Sequence, residues 1–109
     1  MTKANATCGT GDGAELFRVL GDGTRLGVVM QLMNGPRRVG ELNESLGVEQ
    51  SLLSHHLRVL RDAGLVTAER DGKAVVYRVA ESLQDPDRAG TIDLGCCRLS
   101  FPGLPGAAE

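Results

Sequence analysis

Residues 48–66 read VEQSLLSHHLRVLRDAGLV, and the spacing of their leucines decides the fold. Leu53, Leu57 and Leu60 recur at intervals of four and three, the period of one face of an α-helix. That face is predicted to be buried. Gln50, Ser51, Ser54, His55, Arg58 and Arg61 fall around the other side, with short or planar hydrogen-bonding groups first and cations after them. A major groove offers base edges that donate and accept, flanked by phosphates, so this face has the chemistry of a DNA-recognition helix. An ordinary amphipathic helix with a solvated polar face shows the same pattern, and the flanking chain has to discriminate between the two. Gly64 can take the left-handed conformation that ends a helix, after which Leu65-Val66 opens an apolar extended run.

Upstream, Val39, Leu42 and Leu46 mark a helix over roughly residues 38–46 that Gly47 ends, and the link Gly47-Val48-Glu49 is short. Two helices joined by a few residues containing glycine form a helix-turn-helix. Earlier still, Leu16, Phe17, Val19 and Leu20 make the apolar side of a first helix, which Gly21 interrupts. Asp22 is placed to cap a second, whose Leu26, Val28, Val29, Leu32 and Met33 run to the breaker Asn34-Gly35-Pro36. Downstream the period changes. Val66 and Ala68, then Arg70-Asp71-Gly72-Lys73, then residues 75–79 read as two strands around a turn favoured by the Asp-Gly pair. The predicted fold is α+β, mainly α: a winged helix-turn-helix of three to four helices followed by a β-hairpin wing. It occupies residues 14–81, between a flexible N-terminal arm at 1–13 and a C-terminal tail at 82–109. Arg70 and Lys73 fall near the wing tip, within reach of a phosphate or a minor groove, with simple solvation as the alternative.

Composition bounds the function. A chain of 109 residues with 15 glycines and 3% aromatics is predicted to be one small domain with an aliphatic core. No uninterrupted apolar run reaches the length of a membrane span, and the N-terminal MTKANATCGTGDG lacks a signal-peptide core, so the expected address is the cytoplasm with no membrane partner. The net charge of -2 does not announce a nucleic-acid ligand, but its distribution is uneven. Between Arg58 and Arg78 lie Arg58, Arg61, Arg70, Lys73 and Arg78 against Asp62, Glu69 and Asp71. A locally basic face on an acidic chain still attracts DNA. No acid/base pair or nucleophile with a partner is spaced for catalysis, so an enzyme is not expected.

The segments LFRVLGDGTRLGVVMQLMNG, VGELNESLGVEQSLLSHHLRVLRDAGLV and ERDGKAVVYRV resemble the ArsR/SmtB family of winged-helix repressors. The resemblance covers roughly residues 14 to 80, and its most specific part is Gln50-Ser51-x-x-Ser54-His55-His56-Leu57. Two departures stand out: Gly23 where the family usually has Pro after Asp22, and Glu49 where it often has Ser. One removes a preorganised helix start and the other a good N-cap, so both are expected to soften helix ends. The resemblance implies a homodimer that occupies an inverted repeat in double-stranded operator DNA, with its recognition helices about 34 Å apart. Transcription is then blocked until an effector lowers the affinity, and no cofactor is required for DNA binding. In the family pattern Gln50, Ser51, Ser54 and His55 face bases, while Arg58, Arg70 and Lys73 meet the backbone.

Family members differ in what they sense. The arsenite-sensing archetype carries a cysteine pair at the start of the recognition region or in the helix before it, and the matching span here, ELNESL at 41–46, has none. Zinc sensors of the family use Asp, His and Glu on a long C-terminal helix. Here residues 82–109 hold no His and are interrupted by Pro86, Gly90, Gly95, Pro102, Gly103 and Pro105.

What remains is Gly95-Cys96-Cys97-Arg98. Thiolates bind soft ions, and a neighbouring Arg98 would favour the thiolate. Adjacent side chains in a strand point to opposite faces, so two sulfurs can share one ion only if the backbone bends, and Gly95 offers a bend. The one other sulfur of a thiol is Cys8, in the arm. The expected metal ligands are therefore Cys96, Cys97 and Cys8, the last from the other subunit. The expected inducer is As(III), with Sb(III), an organoarsenical, Cu(I) or Cd(II) as alternatives. Two other uses of the pair stay open, a thiol-redox-sensing switch or two small hydrophobes in a packed strand. A winged-helix protein-interaction module without metal sensing is the remaining alternative for the whole chain. His55 and His56 are sequence neighbours that do not face one another on a helix, so His55 is read as a DNA contact and His56 as a partly buried packing residue. Residues 91–94 with Leu99 and Phe101 form an apolar strand-like stretch where the family has its last helix, placed beside the first helix on which dimerisation would rely.

Overall fold

Residues 12–101 are described by the structure, a computed structural model. Helix α1 (Asp12–Leu20) ends just before α2 (Gly23–Met33) begins, and Asp22 makes the corner. Its backbone is extended (φ -89, ψ 131), and its Oδ1 accepts from the N–H groups of Thr24 at 2.8 Å and Arg25 at 3.1 Å. Those are two of the donors that a first helical turn leaves without partners. The inner face of α1 is formed by Val19 and Leu20, with Leu16 partly buried against them. Phe17, expected on that face, is 47% exposed, because it projects about 100° around the helix from Leu16.

Helix α3 (Val39–Leu46) and helix α4 (Gln50–Asp62) form the helix-turn-helix. Gly47 closes α3 at φ 64, in the left-handed region that only glycine enters cheaply. The Asn43 side-chain amide donates to the Val48 carbonyl and braces the turn. Helix α4 starts without a side-chain cap. Glu49 contributes only its carbonyl, which accepts from the Leu53 N–H at 2.9 Å, as expected from a glutamate where the resembling family places serine.

Strand β1 (Arg37–Arg38) precedes α3, and β2 (Val66–Asp71) and β3 (Ala74–Val79) form the wing. Asp71 pairs with Ala74, leaving Gly72 and Lys73 as the connection. Gly72 has φ 67, and no described non-glycine residue has a positive φ. The turn thus has glycine at its first central position, the II′ arrangement, rather than an Asp-Gly pair at its centre. On its other side β3 pairs with β1, Arg37 opposite Tyr77 and Arg38 opposite Val76, giving the order β1-β3-β2. This third strand is absent from the sequence expectation because two residues carry no readable period. The third helix accordingly begins at Val39, with Arg38 as its N-cap.

A short 3-10 turn, Glu81–Leu83, leads to the hairpin of β4 (Thr91–Asp93) and β5 (Arg98–Ser100). Val28, Leu42, Leu53, Leu60 and Ile92 have no exposed surface at all. Ile92, Leu94 and Phe101 belong to the same buried cluster as Val19, Leu20 and the leucines of α4, so the C-terminal hairpin shares the core of the helices. Truncating a leucine in such a core to alanine costs about 2–5 kcal/mol. Among the described residues no helix is long and apolar enough to cross a membrane.

Candidate functional site

The leucine period of α4 separates two surfaces. Leu53, His56, Leu57 and Leu60 are buried, while Gln50, Ser51, Ser54, His55, Arg58 and Arg61 are all exposed. Ser51, Ser54, His55, Arg58 and Arg61 line one cleft, bounded on the wing side by Tyr77. Gln50 and Ser54 line a second with Arg38, Ala74 and Val75. Because Ser54 borders both, the fold joins the helix face and the inner side of the wing into one surface. Arg70 and Lys73 lie in neither cleft; both are exposed and stand at the far end of the wing, at and beside its turn.

Ion pairing sorts the cations. Arg78 meets Glu69 at 3.2 Å, Arg18 meets Glu15 at 2.6 Å and Arg98 meets Asp85 at 3.4 Å. Among the described residues none of the ion pairs involves Arg58, Arg61, Arg70 or Lys73. Four exposed cations outside those ion pairs make this face locally basic on a chain whose total charge is -2.

A buried polar group holds α4 in place. Arg25 donates from Nε to the Val19 carbonyl at 2.7 Å, and its Nη1 stands 3.3 Å from Nδ1 of His56. An arginine only donates, so Nδ1 accepts and the ring proton sits on Nε2, which lies 3.9 Å from Oδ1 of Asp22. The recognition helix is thereby tied to the corner between α1 and α2. The Arg25 backbone N–H is the main reason the Asp22 carboxyl is held below the ordinary carboxylate range, with the Thr24 N–H and the Arg25 charge acting the same way against desolvation. The rings of His55 and His56 have centroids 5.4 Å apart, yet one is exposed and the other buried.

Two residues of this surface were not singled out from the sequence. Tyr77 carries no local signal for such a role. Arg38 is placed there by its position at the N-cap of α3, where its backbone N–H donates to Oε1 of Glu41 at 2.8 Å.

The connection between β4 and β5 holds the cysteine pair. Asp93 pairs with Arg98, the Leu94 N–H donates to the Cys97 carbonyl at 2.8 Å, and the Gly95 N–H donates to Oδ1 of Asp93 at 2.8 Å. Gly95 has φ 93, a conformation that suits glycine alone. The bend brings the Sγ atoms of Cys96 and Cys97 to 3.3 Å, with Cys96 partly and Cys97 well exposed. Arg98 stands with its Nε 3.4 Å from Oδ2 of Asp85. Among the described residues no group of three or more His, Cys, Asp and Glu is arranged to hold a metal ion. Cys8 lies outside the described residues.

Comparison with known proteins agrees with this architecture. The family described as "Bacterial regulatory protein, arsR family" matches residues 22–68. The HTH-type transcriptional regulator NmtR of Mycobacterium tuberculosis is 44% identical over 80 residues, which are 73% of this chain and 63% of that protein. The "Probable mercury resistance operon repressor" of Streptomyces lividans is 39% identical over 84 residues, 77% of this chain and 64% of that one. The chain thus spans slightly less than two thirds of the length of these relatives. Among solved structures, the homodimeric winged helix-turn-helix DNA-binding domain of Mb0332 from Mycobacterium bovis superposes with a TM-score of 0.60 at 32% identity, covering 63% of this chain and 64% of that one. The relatives are named as transcriptional regulators, and with its helix-turn-helix, three-stranded wing and matching sequence this chain belongs to the ArsR/SmtB family of bacterial winged-helix regulators.

Proposed function

We propose that the protein is a homodimeric transcriptional repressor, acting in the cytoplasm, which binds an inverted repeat of duplex DNA and is released when a thiophilic metalloid binds Cys96 and Cys97. The observation that carries the DNA-binding part is the exposed face of α4, whose cations form no internal ion pairs. Gln50, Ser51, Ser54 and His55 would address base edges, while Arg58, Arg70 and Lys73 neutralise phosphates. The homodimeric Mycobacterium bovis relative supports the two-fold arrangement, which sets two recognition helices about 34 Å apart.

The sensing part rests on the 3.3 Å separation of the two sulfurs. With metal–sulfur bonds of about 2.3 Å, the zinc–thiolate length, two sulfurs on one ion stand about 3.3 Å apart at an S–M–S angle near 90°, about 3.8 Å apart at a tetrahedral angle and about 4.6 Å apart in a linear complex. A separation of this size lets both sulfurs reach one thiophilic ion, which supports As(III) as the inducer, with Sb(III), an organoarsenical, Cu(I) or Cd(II) as alternatives. A third sulfur would come from Cys8 of the arm. The bound ion would act on a hairpin whose Ile92 and Leu94 share a core with Val19 and Leu20 of α1, the helix expected at the dimer interface. Release follows only from a difference in ion affinity between the DNA-bound and free states.

Thiol oxidation is the second reading, supported by the same contact. Adjacent Cα atoms about 3.8 Å apart fall short of the usual span of about 4.4–6.8 Å for a disulfide, so an oxidised pair would be strained and readily reduced.

The test uses a duplex selected from a random-sequence library by the wild-type chain, followed by fluorescence anisotropy. Arsenite is expected to dissociate the wild-type complex and to leave Cys96→Ser and Cys97→Ser complexes intact. Loss of the response in Cys8→Ser gives a three-sulfur site, and its retention favours a monosubstituted organoarsenical as the physiological ligand. If arsenite, antimonite and cadmium all leave the wild-type complex intact, metalloid sensing is excluded, and release by peroxide alone establishes the redox reading.

A further inference from the structure

Helix α4 treats its two adjacent leucines in opposite ways. Leu53 has no exposed surface, whereas Leu52 is 46% exposed and belongs neither to the buried cluster nor to the apolar residues packed against it. Leu52 sits in the first turn of α4, one residue from Ser51 and three from His55, both exposed. Residues three apart on a helix share a patch of its surface, so an isobutyl group lies beside His55, a side chain assigned to base edges, about 60° further round the helix and on the side away from Ser51. A recognition helix meets the bases with its N-terminal residues.

We propose that Leu52 is a specificity-determining residue that selects thymine by contact with its C5-methyl group, at one base pair in each half-site. In the major groove thymine is the one base that presents an apolar group there. Contact would remove the methyl and much of the leucine side chain from water together. A cytosine at the same place would set its amino donor against the isobutyl group, where it finds no acceptor. Ser51 and His55 can donate or accept, and so tolerate several base edges; Leu52 rewards only the methyl. The assignment rests on the operator binding proposed above.

The test removes the methyl from the DNA instead of the side chain from the protein. A duplex is selected from a random-sequence library by the wild-type chain, and each thymine in turn, in both half-sites, is replaced by deoxyuridine. At one symmetry-related pair of positions the wild type is expected to weaken about fourfold per methyl, about fifteenfold for the pair. Leu52→Ala is expected to bind the unmodified duplex weaker by a similar factor and to ignore the replacement at that pair. Its helix content and thermal midpoint should match the wild type, since the side chain is not in the core. The proposal is overturned if wild type is indifferent to every replacement, or if Leu52→Ala is as sensitive as wild type. It is also overturned if the substitution weakens the dimer at unchanged methyl sensitivity, which places Leu52 against the second subunit. If no duplex is enriched, the operator function itself fails; enrichment without methyl sensitivity overturns Leu52 alone.

Discussion

The wing tip offers the most quantitative test of how this protein meets DNA. Arg70 and Lys73 are exposed at the turn end of β2 and β3, and neither enters an ion pair among the described residues. If each neutralises one phosphate, a dimer lacking both releases four fewer counterions on binding. The slope of log K against log salt should then be shallower by about 3.6, at about 0.9 for each cation. Between about 50 and 200 mM salt that difference amounts to about 150-fold, so wild type and Arg70→Ala/Lys73→Ala differ most at low salt and converge as salt rises. Fluorescence anisotropy with one inverted-repeat duplex across this range measures both slopes. Arg78→Ala is the internal control, because Arg78 already meets Glu69 at 3.2 Å, and its slope should change by less than one. An unchanged slope in the double variant would refute the placement of these cations on phosphate. Equal slopes for the double variant and Arg78→Ala would remove the basis for sorting cations by their ion pairs.

Two further predictions concern the corner that supports α4. Gly23→Pro should stabilise the fold by about 0.4–1 kcal/mol, since Asp22 is already extended as a residue before proline must be and a Cβ at Gly23 meets nothing within 4 Å; a thermal melt checks it, and a lowered midpoint counts against it. The Asp22 carboxyl is held below its ordinary range chiefly by the Arg25 N–H. Its contribution is therefore full above the unfolded carboxylate value near 4 and lost as pH falls through the lower folded value. Asp22→Asn keeps an acceptor but cannot titrate, so urea midpoints measured from about pH 5 to pH 2 should fall less steeply in the variant than in wild type.

The helices were legible because each advertises itself locally. The leucines of α4, the capping carboxylate of Asp22 and the glycines at 47 and 64 act within one or two turns of chain, at short range. The wing was legible for the same reason, through its alternation and its glycine turn, although the position of that glycine within the turn was settled only by the register Asp71 to Ala74. The exposed set on α4 followed from helical period alone. Phe17 did not follow, because a helix with a narrow buried stripe turns one of four apolar residues outward.

The order of elements, the two faces of α4 and the presence of a vicinal thiol pair are properties of spacing along the chain, and local periodicity is enough to read them. Which groups meet across the chain depends on how distant segments pack together. Strand β1 exists because β3 offers it an edge, and Arg38 thereby comes beside Gln50 and Ser54. His56 is tied to Arg25, thirty-one residues away, by a hydrogen bond that no period encodes. Glu69 and Asp85 meet Arg78 and Arg98, while the exposed cations of α4 and the wing tip enter none of the ion pairs among the described residues. The sulfurs of Cys96 and Cys97 stand at 3.3 Å because the pairing of β4 with β5 sets the size of the turn they occupy. Contacts between distant segments depend on how the whole core closes, and neighbouring residues carry no record of that.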